Sequence, residues 1–135
     1  MNRSRLLARL LVATGAALAV SFASAAPGPI LTELMTRQLP DLRGKEMHAI
    51  TVEYPPGGSD PTHRHDAHVF VYVLEGAVVM GLKGQKEVTL TKGQTFFEAP
   101  GDVHTVSRNA SSTEPARFLV VFVKGRGVDA VLPTP

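Results

Sequence analysis

Histidine is the residue type with the clearest chemical pattern in this chain. Three of the five histidines, His63, His65 and His68, lie within one six-residue segment. His63 and His65 are two residues apart, so on an extended backbone their side chains leave the same face, about 6.6 Å apart along the strand. Imidazoles that lean together at this spacing can share one metal ion at about 2.1 Å. A solvated polar loop is the alternative.

A third metal ligand must come from another part of the chain, and His104 is the candidate. It follows the turn sequence Pro100-Gly101-Asp102 and precedes an apolar segment. Folding can therefore place it opposite the histidine pair, although a lone histidine is also common at protein surfaces. His48 alternates with apolar residues along one strand face, so we interpret it as structural.

Length and composition limit the alternatives. The chain has 135 residues, of which 44% are hydrophobic and 19% are charged, and this length predicts one domain. It contains no cysteine, which excludes a disulfide framework, a thiolate metal site and a cysteine nucleophile. Any metal site must therefore use histidine, carboxylate or water. The signature motifs of serine hydrolases, P-loop enzymes and dinucleotide-binding enzymes are also missing from the sequence.

Residues 1–25 are typical of an export signal. Three arginines precede an apolar segment over 10–22, and Ala23-Ser24-Ala25 forms a cleavage site of the A-x-A type. The apolar segment is shorter than the roughly 20 residues of a spanning helix, so we expect cleavage and no stable membrane anchor afterwards, rather than a retained anchor. We expect the mature chain to be periplasmic if the source is Gram-negative and secreted otherwise.

Cleavage also changes the charge balance. The first 25 residues hold three of the 14 basic residues and none of the 12 acidic ones, which leaves 11 basic against 12 acidic residues. The mature sequence has no Lys or Arg cluster that could follow a phosphate backbone, so nucleic acid is an unfavourable partner. We expect a small-molecule ligand or substrate instead.

From residue 45 onward the sequence predicts an all-β domain. Turns that contain Gly or Pro separate short runs rich in Val, Ile, Thr, Phe and Tyr. The predicted strands are 46–54, 69–74, 77–82, 87–90, 95–98, 104–107 and 117–123. They form one sandwich or barrel over 45–124, between an N-terminal arm over 26–44 and a C-terminal tail over 125–135. The arm has a short apolar stretch that fits either helical turns or an edge strand.

Two of the predicted strands, 70–74 and 118–123, are almost continuously apolar. This pattern indicates that both faces of each strand are covered. A second sheet, the N-terminal arm or a partner subunit can provide the cover, and we therefore expect a homodimer.

The mature sequence resembles the small single-domain cupins. Residues that match the first cupin motif, G-x5-H-x-H-x3 or 4-E-x6-G, are Gly57, His63, His65 and Gly76. Residues that match the second motif, G-x5-P-x-G-x2-H-x3-N, are Gly93, Gly101 and His104. The resemblance covers residues 45–124. It implies an all-β barrel of the jelly-roll type with a divalent metal ion in its interior.

Three positions depart from the cupin motifs. Val69 occupies the place of the first motif's Glu, with Phe70 at the alternative spacing, so the usual carboxylate ligand is missing. Ala99 stands where the second motif has Pro, although Pro100 follows it, and Asn109 lies one residue later than the motif's Asn. The usual structural role of that Asn is therefore open.

The resemblance implies that His63, His65 and His104 bind the metal ion, and it supplies no fourth ligand. Glu98 is our first candidate, because a carboxylate beside two phenylalanines would be costly to bury without a partner. An outward-facing Glu at a strand end is the alternative. Imidazole and carboxylate ligands suit Zn²⁺, Fe²⁺, Mn²⁺, Ni²⁺ or Cu²⁺ and do not select among them.

His68 is the second candidate for the fourth ligand. On a regular strand it faces away from the side on which residue 69 lies, so a bulge would be required to aim it inward. At the barrel mouth it is instead our candidate catalytic residue, because histidine is the common general acid or base. A surface histidine is the alternative.

Two functions are consistent with these observations. The first is an exported metal-dependent enzyme, an oxygenase-like oxidoreductase, an isomerase or a hydrolase, that acts on a small organic molecule. The second is a non-catalytic cupin that binds or senses a small ligand or a metal ion, which the missing motif Glu favours. Candidate pocket residues are Val71, Val73, Phe97 and Phe118.

Overall fold

A computed structural model describes residues 24–134, so nearly all of the predicted export signal over 1–25 lies outside the described residues. The described chain forms nine strands, which are β1 (Ile30–Gln38), β2 (Lys45–Tyr54), β3 (His63–Arg64), β4 (Ala67–Glu75), β5 (Ala77–Leu82), β6 (Val88–Thr91), β7 (Thr95–Glu98), β8 (Val103–Asn109) and β9 (Ala116–Gly125). Over 24–134 no helix has the length and hydropathy needed to cross a membrane.

The strands form two antiparallel sheets, with the orders β1-β2-β9-β4-β7 and β3-β8-β5-β6. Their inner faces enclose one core of aliphatic and aromatic side chains, as in jelly-roll barrels. Successive side chains of a strand point to opposite faces, and in β4 the buried side chains therefore alternate with exposed ones. The predicted all-β jelly-roll fold is confirmed.

The seven predicted strands correspond to β2 and to β4 through β9. The N-terminal stretch for which helical turns and an edge strand were both open forms β1, which pairs with β2 at the edge of the larger sheet. β3 has only two residues, His63 and Arg64, and pairs with β8. A strand this short leaves no periodic pattern in a sequence.

The outer face of the larger sheet stays uncovered within one copy of the chain. All nine residues of β1 are exposed, because this strand extends the sheet and does not fold over it. Phe70 and Tyr72 on β4 are 43% and 38% exposed. Within a single chain, neither the second sheet nor the N-terminal arm covers the outer side of residues 70–74, and cover by a partner subunit stays a prediction.

Asn109 has a structural role despite its shifted position in the motif. Its buried side-chain amide nitrogen lies 3.2, 3.0 and 2.8 Å from the carbonyl oxygens of Tyr54, Pro55 and Glu114 and shares its two protons among them. It thereby connects the end of β8 to the segment between β2 and β3, which leads to the histidine pair.

Residues 126–134, which we call the C-terminal segment, fold back onto the barrel. Arg64 and Leu132 each donate a backbone N–H to the other's carbonyl oxygen, at 3.0 and 2.9 Å. Lys124 Nζ donates to the carbonyl oxygen of Val128 at 2.6 Å and to Glu46 Oε1 at 2.5 Å. The pairing with Arg64 holds the C-terminal segment beside β3, and the bond from Lys124 holds its beginning at the end of β9.

Candidate metal centre

The three histidines that the sequence predicts as ligands come together inside the barrel. His63 on β3 is the cross-strand partner of His104 on β8, and His65 follows β3 directly. One nitrogen atom of each ring lies within 4.8 Å of the others, and all three residues are buried. This buried triad is able to bind a metal ion.

A bulge in β8 determines which of its side chains face the interior. The pairing of β8 with β5 passes over Thr105, so Thr105 is an extra residue in the strand. Its hydroxyl group donates to the carbonyl oxygen of Gly81 at 3.2 Å. His104 and Ser107 are therefore both buried although they are three residues apart.

Backbone carbonyl groups fix the orientation of two imidazoles. His63 Nδ1 lies 2.8 Å from the carbonyl oxygen of Pro61, and His65 Nδ1 lies 2.5 Å from that of Ala130. A carbonyl oxygen can only accept, so Nδ1 carries the proton in both rings. The Nε2 lone pair of each ring is left for a metal ion, and this support by a backbone carbonyl is common around metal-binding histidines.

Glu98 lies beside the triad and comes from the opposite sheet. It is 2% exposed. Its Oε1 is 3.4 Å from His104 Nδ1, and its Oε2 is 3.7 Å from His65 Nε2. Along β7 it is the cross-strand partner of Val69 on β4, the position where the cupin motif has its Glu. The interior therefore has a carboxylate close to the place where the motif would supply one.

The buried polar atoms of this site lack partners. Within the described chain, Glu98 Oε2 and both ring nitrogens of His104 make no hydrogen bond. Buried polar groups are almost always paired, and each exception requires an explanation. Three imidazoles and a carboxylate form a donor set that a transition-metal ion would satisfy, so these residues fit such an ion.

Burial controls the protonation of the site. It raises the pKa of Glu98 to about 7, and the Asp102 carboxylate acts in the same direction. Burial also lowers the pKa of His104 to about 3, with further contributions from His63 and His65. The pKa of His65 is lowered by burial as well. His65 and His104 are therefore neutral at pH 7, which is the form that binds metal.

A tight turn joins β7 to β8 and stands where the motif has its Pro. The Asp102 carboxylate accepts the N–H of Ala99 at 2.8 Å, and the N–H of Asp102 donates to the Ala99 carbonyl at 3.1 Å. Gly101 has φ = +88°, a conformation that favours glycine, and its N–H donates to the carbonyl of His65 at 3.1 Å. The turn thus links both ligand-bearing strands to the histidine pair.

His68 is not brought to the triad. β4 pairs regularly with β9 around this position, so no bulge turns the side chain inward. His68 is exposed, and its ring stacks on Phe97 with 6.0 Å between the centroids. Neither the fourth-ligand role nor the catalytic role predicted for His68 fits this place on the outer face. Phe97, which we expected in the pocket, is 58% exposed there.

The triad and Glu98 open onto a cavity of about 110 Å³ between the two sheets. Its walls are mostly apolar and include the expected Val71 and Phe118, but not Val73. The other polar residues that line it are Tyr54, Asp60 and Ser107. No pattern in the sequence indicated these three residues, since the inward direction of Ser107 depends on the bulge in β8.

Comparison with known protein families supports the same assignment as the fold and the site. The family model described as cupin domain matches residues 50–122, which is more than half of the chain. The chain therefore belongs to the cupin family, as its two motifs suggested.

Individual relatives have low sequence identity to this chain. The rhicadhesin receptor of Pisum sativum is 31% identical over 100 residues, which are 70% of this chain and 45% of that protein. The chain spans less than half the length of this curated relative. The solved DMSP lyase DddQ from Ruegeria pomeroyi DSS-3 has 26% identity and a TM-score of 0.57, over 65% of this chain and 43% of that one. The polyketide cyclase RemF from Streptomyces resistomycificus has 25% identity and a TM-score of 0.60, over 83% and 77%.

Proposed function

We propose that this cupin binds one divalent transition-metal ion through His63, His65, His104 and Glu98 and uses it as a metal-dependent enzyme on a small organic molecule. The proposal is carried by one observation. Buried imidazole and carboxylate atoms that have no hydrogen-bond partner line an otherwise mostly apolar cavity. Such atoms cost free energy unless a ligand satisfies them.

When bound, the ion would polarise an oxygen atom of the substrate or lower the pKa of a water molecule. The chain's own residues have three tasks. The carbonyls of Pro61 and Ala130 hold the two imidazoles in the metal-binding tautomer. Glu98 offsets one positive charge of the ion. The apolar walls limit the access of water, which strengthens the electrostatic interactions inside.

The solved relatives give limited support for an enzyme. The two named above are a lyase and a cyclase, and both names describe enzymes. The oxygenase-like, isomerase-like or hydrolase-like reaction that the sequence analysis considered stays a prediction.

An open coordination position distinguishes a catalytic ion from a structural one. We would load the protein with Mn²⁺ and measure the relaxation rate of water protons, with the His63→Ala variant as the control. We expect a faster relaxation for the loaded native chain, because water exchanges at the ion. A bound ion with no exchanging water would overturn the enzyme proposal.

A non-catalytic binding protein is the second candidate. The residues that line the cavity favour it. Among those described, and apart from the proposed ligands, the acid–base side chains are only Asp60 and Tyr54. These two are hydrogen-bonded to each other. His68 lies on the outer face and cannot assist. Incubation of the metal-loaded protein with candidate ligands separates the two functions, because a binder releases them unchanged and an enzyme releases a product.

Export and self-association are part of the proposal. The three arginines, the apolar segment and the A-x-A site within 1–25 support export with cleavage after Ala25. Mass spectrometry of the protein from the source cells tests this, and a chain that starts at Met1 would contradict it. The exposed outer-face side chains Phe70, Tyr72 and Phe97 support a homodimer, since a large apolar patch is usually a contact surface.

A further inference from the structure

A second polar group lies in the cavity, apart from the proposed metal ligands. Tyr54, fully buried at the end of β2, donates its hydroxyl proton to Asp60 Oδ2 at 2.6 Å. The Ser107 hydroxyl lies 2.5 Å from the same Tyr54 oxygen. The Asp60 N–H also donates to the Ser107 carbonyl at 2.9 Å. We call Tyr54, Asp60 and Ser107 the polar wall.

The hydrogen-bond directions determine what the polar wall offers to a ligand. Tyr54 has one hydroxyl proton, and Asp60 takes it, so Ser107 must donate its own proton to the Tyr54 oxygen. Both hydroxyl donors are then used within the group. What remains is the Asp60 Oδ1 atom, which makes no hydrogen bond in the described chain, and the lone pairs of Ser107. The polar wall can therefore only accept hydrogen bonds.

The charges of the residues that line the cavity also restrict the ligand. Glu98 and Asp60 are the two acidic residues among the described residues that line it, and none of these residues is a lysine or an arginine. A divalent ion held by neutral imidazoles would balance two carboxylates. A ligand without net charge keeps this balance, whereas an anionic ligand adds an unpaired charge to a mostly apolar space, which is costly.

The dimensions restrict the ligand to a small molecule. His104 and Ser107 lie on the same strand and are separated by at most about 10 Å of strand rise. The cavity of about 110 Å³ is smaller than an apolar cavity of about 150 Å³ that holds benzene. A chain of a few atoms can therefore reach from the triad to the polar wall.

We propose that the polar wall selects the ligand of this cupin: a small molecule without net charge that places an oxygen atom at the metal centre and an ammonium or hydroxyl donor against Asp60 and Ser107. A short zwitterion with a terminal ammonium group is the simplest member of this class. The inference rests on the proposed function, because the oxygen end of the ligand requires the metal ion.

Three probes of nearly equal length test this proposal by calorimetry on the metal-loaded protein: 4-aminobutyrate, butyrate and succinate. Butyrate lacks the terminal ammonium group of 4-aminobutyrate, and succinate ends in an anionic acceptor instead of a cationic donor. We expect 4-aminobutyrate to bind at least about tenfold more tightly than butyrate, and succinate to bind most weakly. Binding of 4-aminobutyrate and butyrate within about twofold, or of none of the probes, would overturn the proposal.

The Asp60→Asn variant tests whether Asp60 selects the ligand. Its amide oxygen can still accept the Tyr54 proton, while its NH₂ group replaces the free acceptor by a donor. We expect this variant to lose the preference for 4-aminobutyrate at unchanged metal content, and a retained preference would contradict the role of Asp60. If the variant does not fold, the three probes on the native chain still test the proposal.

A chain that takes up no metal refutes the proposed function, whereas a metal-loaded chain without the preference for 4-aminobutyrate refutes only this inference.

Discussion

Val69 and Glu98 lie directly opposite each other on the neighbouring strands β4 and β7. Both side chains are buried between the sheets. Val69 holds the position where the cupin motif has its Glu, and Glu98 places a carboxylate within 3.4 Å of His104 and 3.7 Å of His65. This chain therefore has its buried carboxylate one strand away from the position where the motif would place it.

The first prediction follows from this pairing. Glu98→Val should lower the metal affinity by roughly 10–100-fold, because it removes one ligand of the ion. The double variant Val69→Glu/Glu98→Val should recover most of the affinity, since the carboxylate returns to the site from β4. Competition with a fluorescent chelator measures both values. A double variant that binds metal as weakly as the single variant would show that a carboxylate at position 69 cannot replace the one at position 98.

The second prediction concerns the pH dependence of the metal-free protein. The pKa of Glu98 is about 7 in the folded chain and 4.5 ordinarily, so the fold prefers the protonated side chain. The stability that this preference contributes is complete below pH 4.5 and is lost as the pH rises to about 7. Gln does not titrate. With a chelator present, we expect Glu98→Gln to be close to the native chain at pH 4 and more stable by about 3 kcal/mol at pH 8.

Urea unfolding at the two pH values measures this difference. The Glu87→Gln variant is a suitable control, because that carboxylate is exposed and its loss should change the free energy of unfolding little at either pH. A stabilisation by Glu98→Gln that is equal at pH 4 and pH 8 would contradict the burial argument.

The third prediction concerns the C-terminal segment. The carbonyl of Ala130 holds His65, and the backbone of Leu132 pairs with Arg64. A chain that ends at Val128 should keep the barrel but bind metal roughly 10–100-fold more weakly. A chain that ends at Pro133 keeps both contacts and is the control. Equal metal affinities of the two truncated chains, with equal circular dichroism, would show that the segment does not position His65.

The fourth prediction concerns the outer face of the larger sheet. Phe70→Lys/Phe97→Lys places two charges on this exposed apolar face and should give a monomer, with unchanged metal content. Val88→Lys, at an exposed apolar residue on β6 of the smaller sheet, is the control and should leave the dimer intact. Sedimentation velocity measures the result. A native chain that sediments as a monomer at micromolar concentration would contradict the proposed homodimer.

Much of this fold follows from local patterns in the sequence. Alternating apolar residues and Gly- or Pro-containing turns predicted seven strands, and the same positions form β2 and β4 through β9. The spacing of His63 and His65 correctly indicated side chains on one face. These features depend on neighbours along the chain, so a single sequence is sufficient to find them.

The features that the sequence did not reveal depend on pairing between distant strands. The extra residue Thr105 in β8 directs both His104 and Ser107 inward, and no residue near it marks a bulge. The contact of Ala130 with His65 joins positions that are 65 residues apart. Likewise, Tyr54 and Ser107 meet only because the two sheets face each other. The polar wall and the support of His65 therefore required the structure.

The central claim is that one metal ion binds to the buried triad and Glu98. Elemental analysis of the protein, purified without a His tag or chelator, tests it most directly beside the His63→Ala/His104→Ala variant. We predict about one transition-metal ion per native chain and none in the variant, with circular dichroism showing that both are folded. No ion in the native chain after reconstitution with Fe²⁺, Mn²⁺, Ni²⁺, Cu²⁺ and Zn²⁺, or equal content in the two proteins, would contradict it.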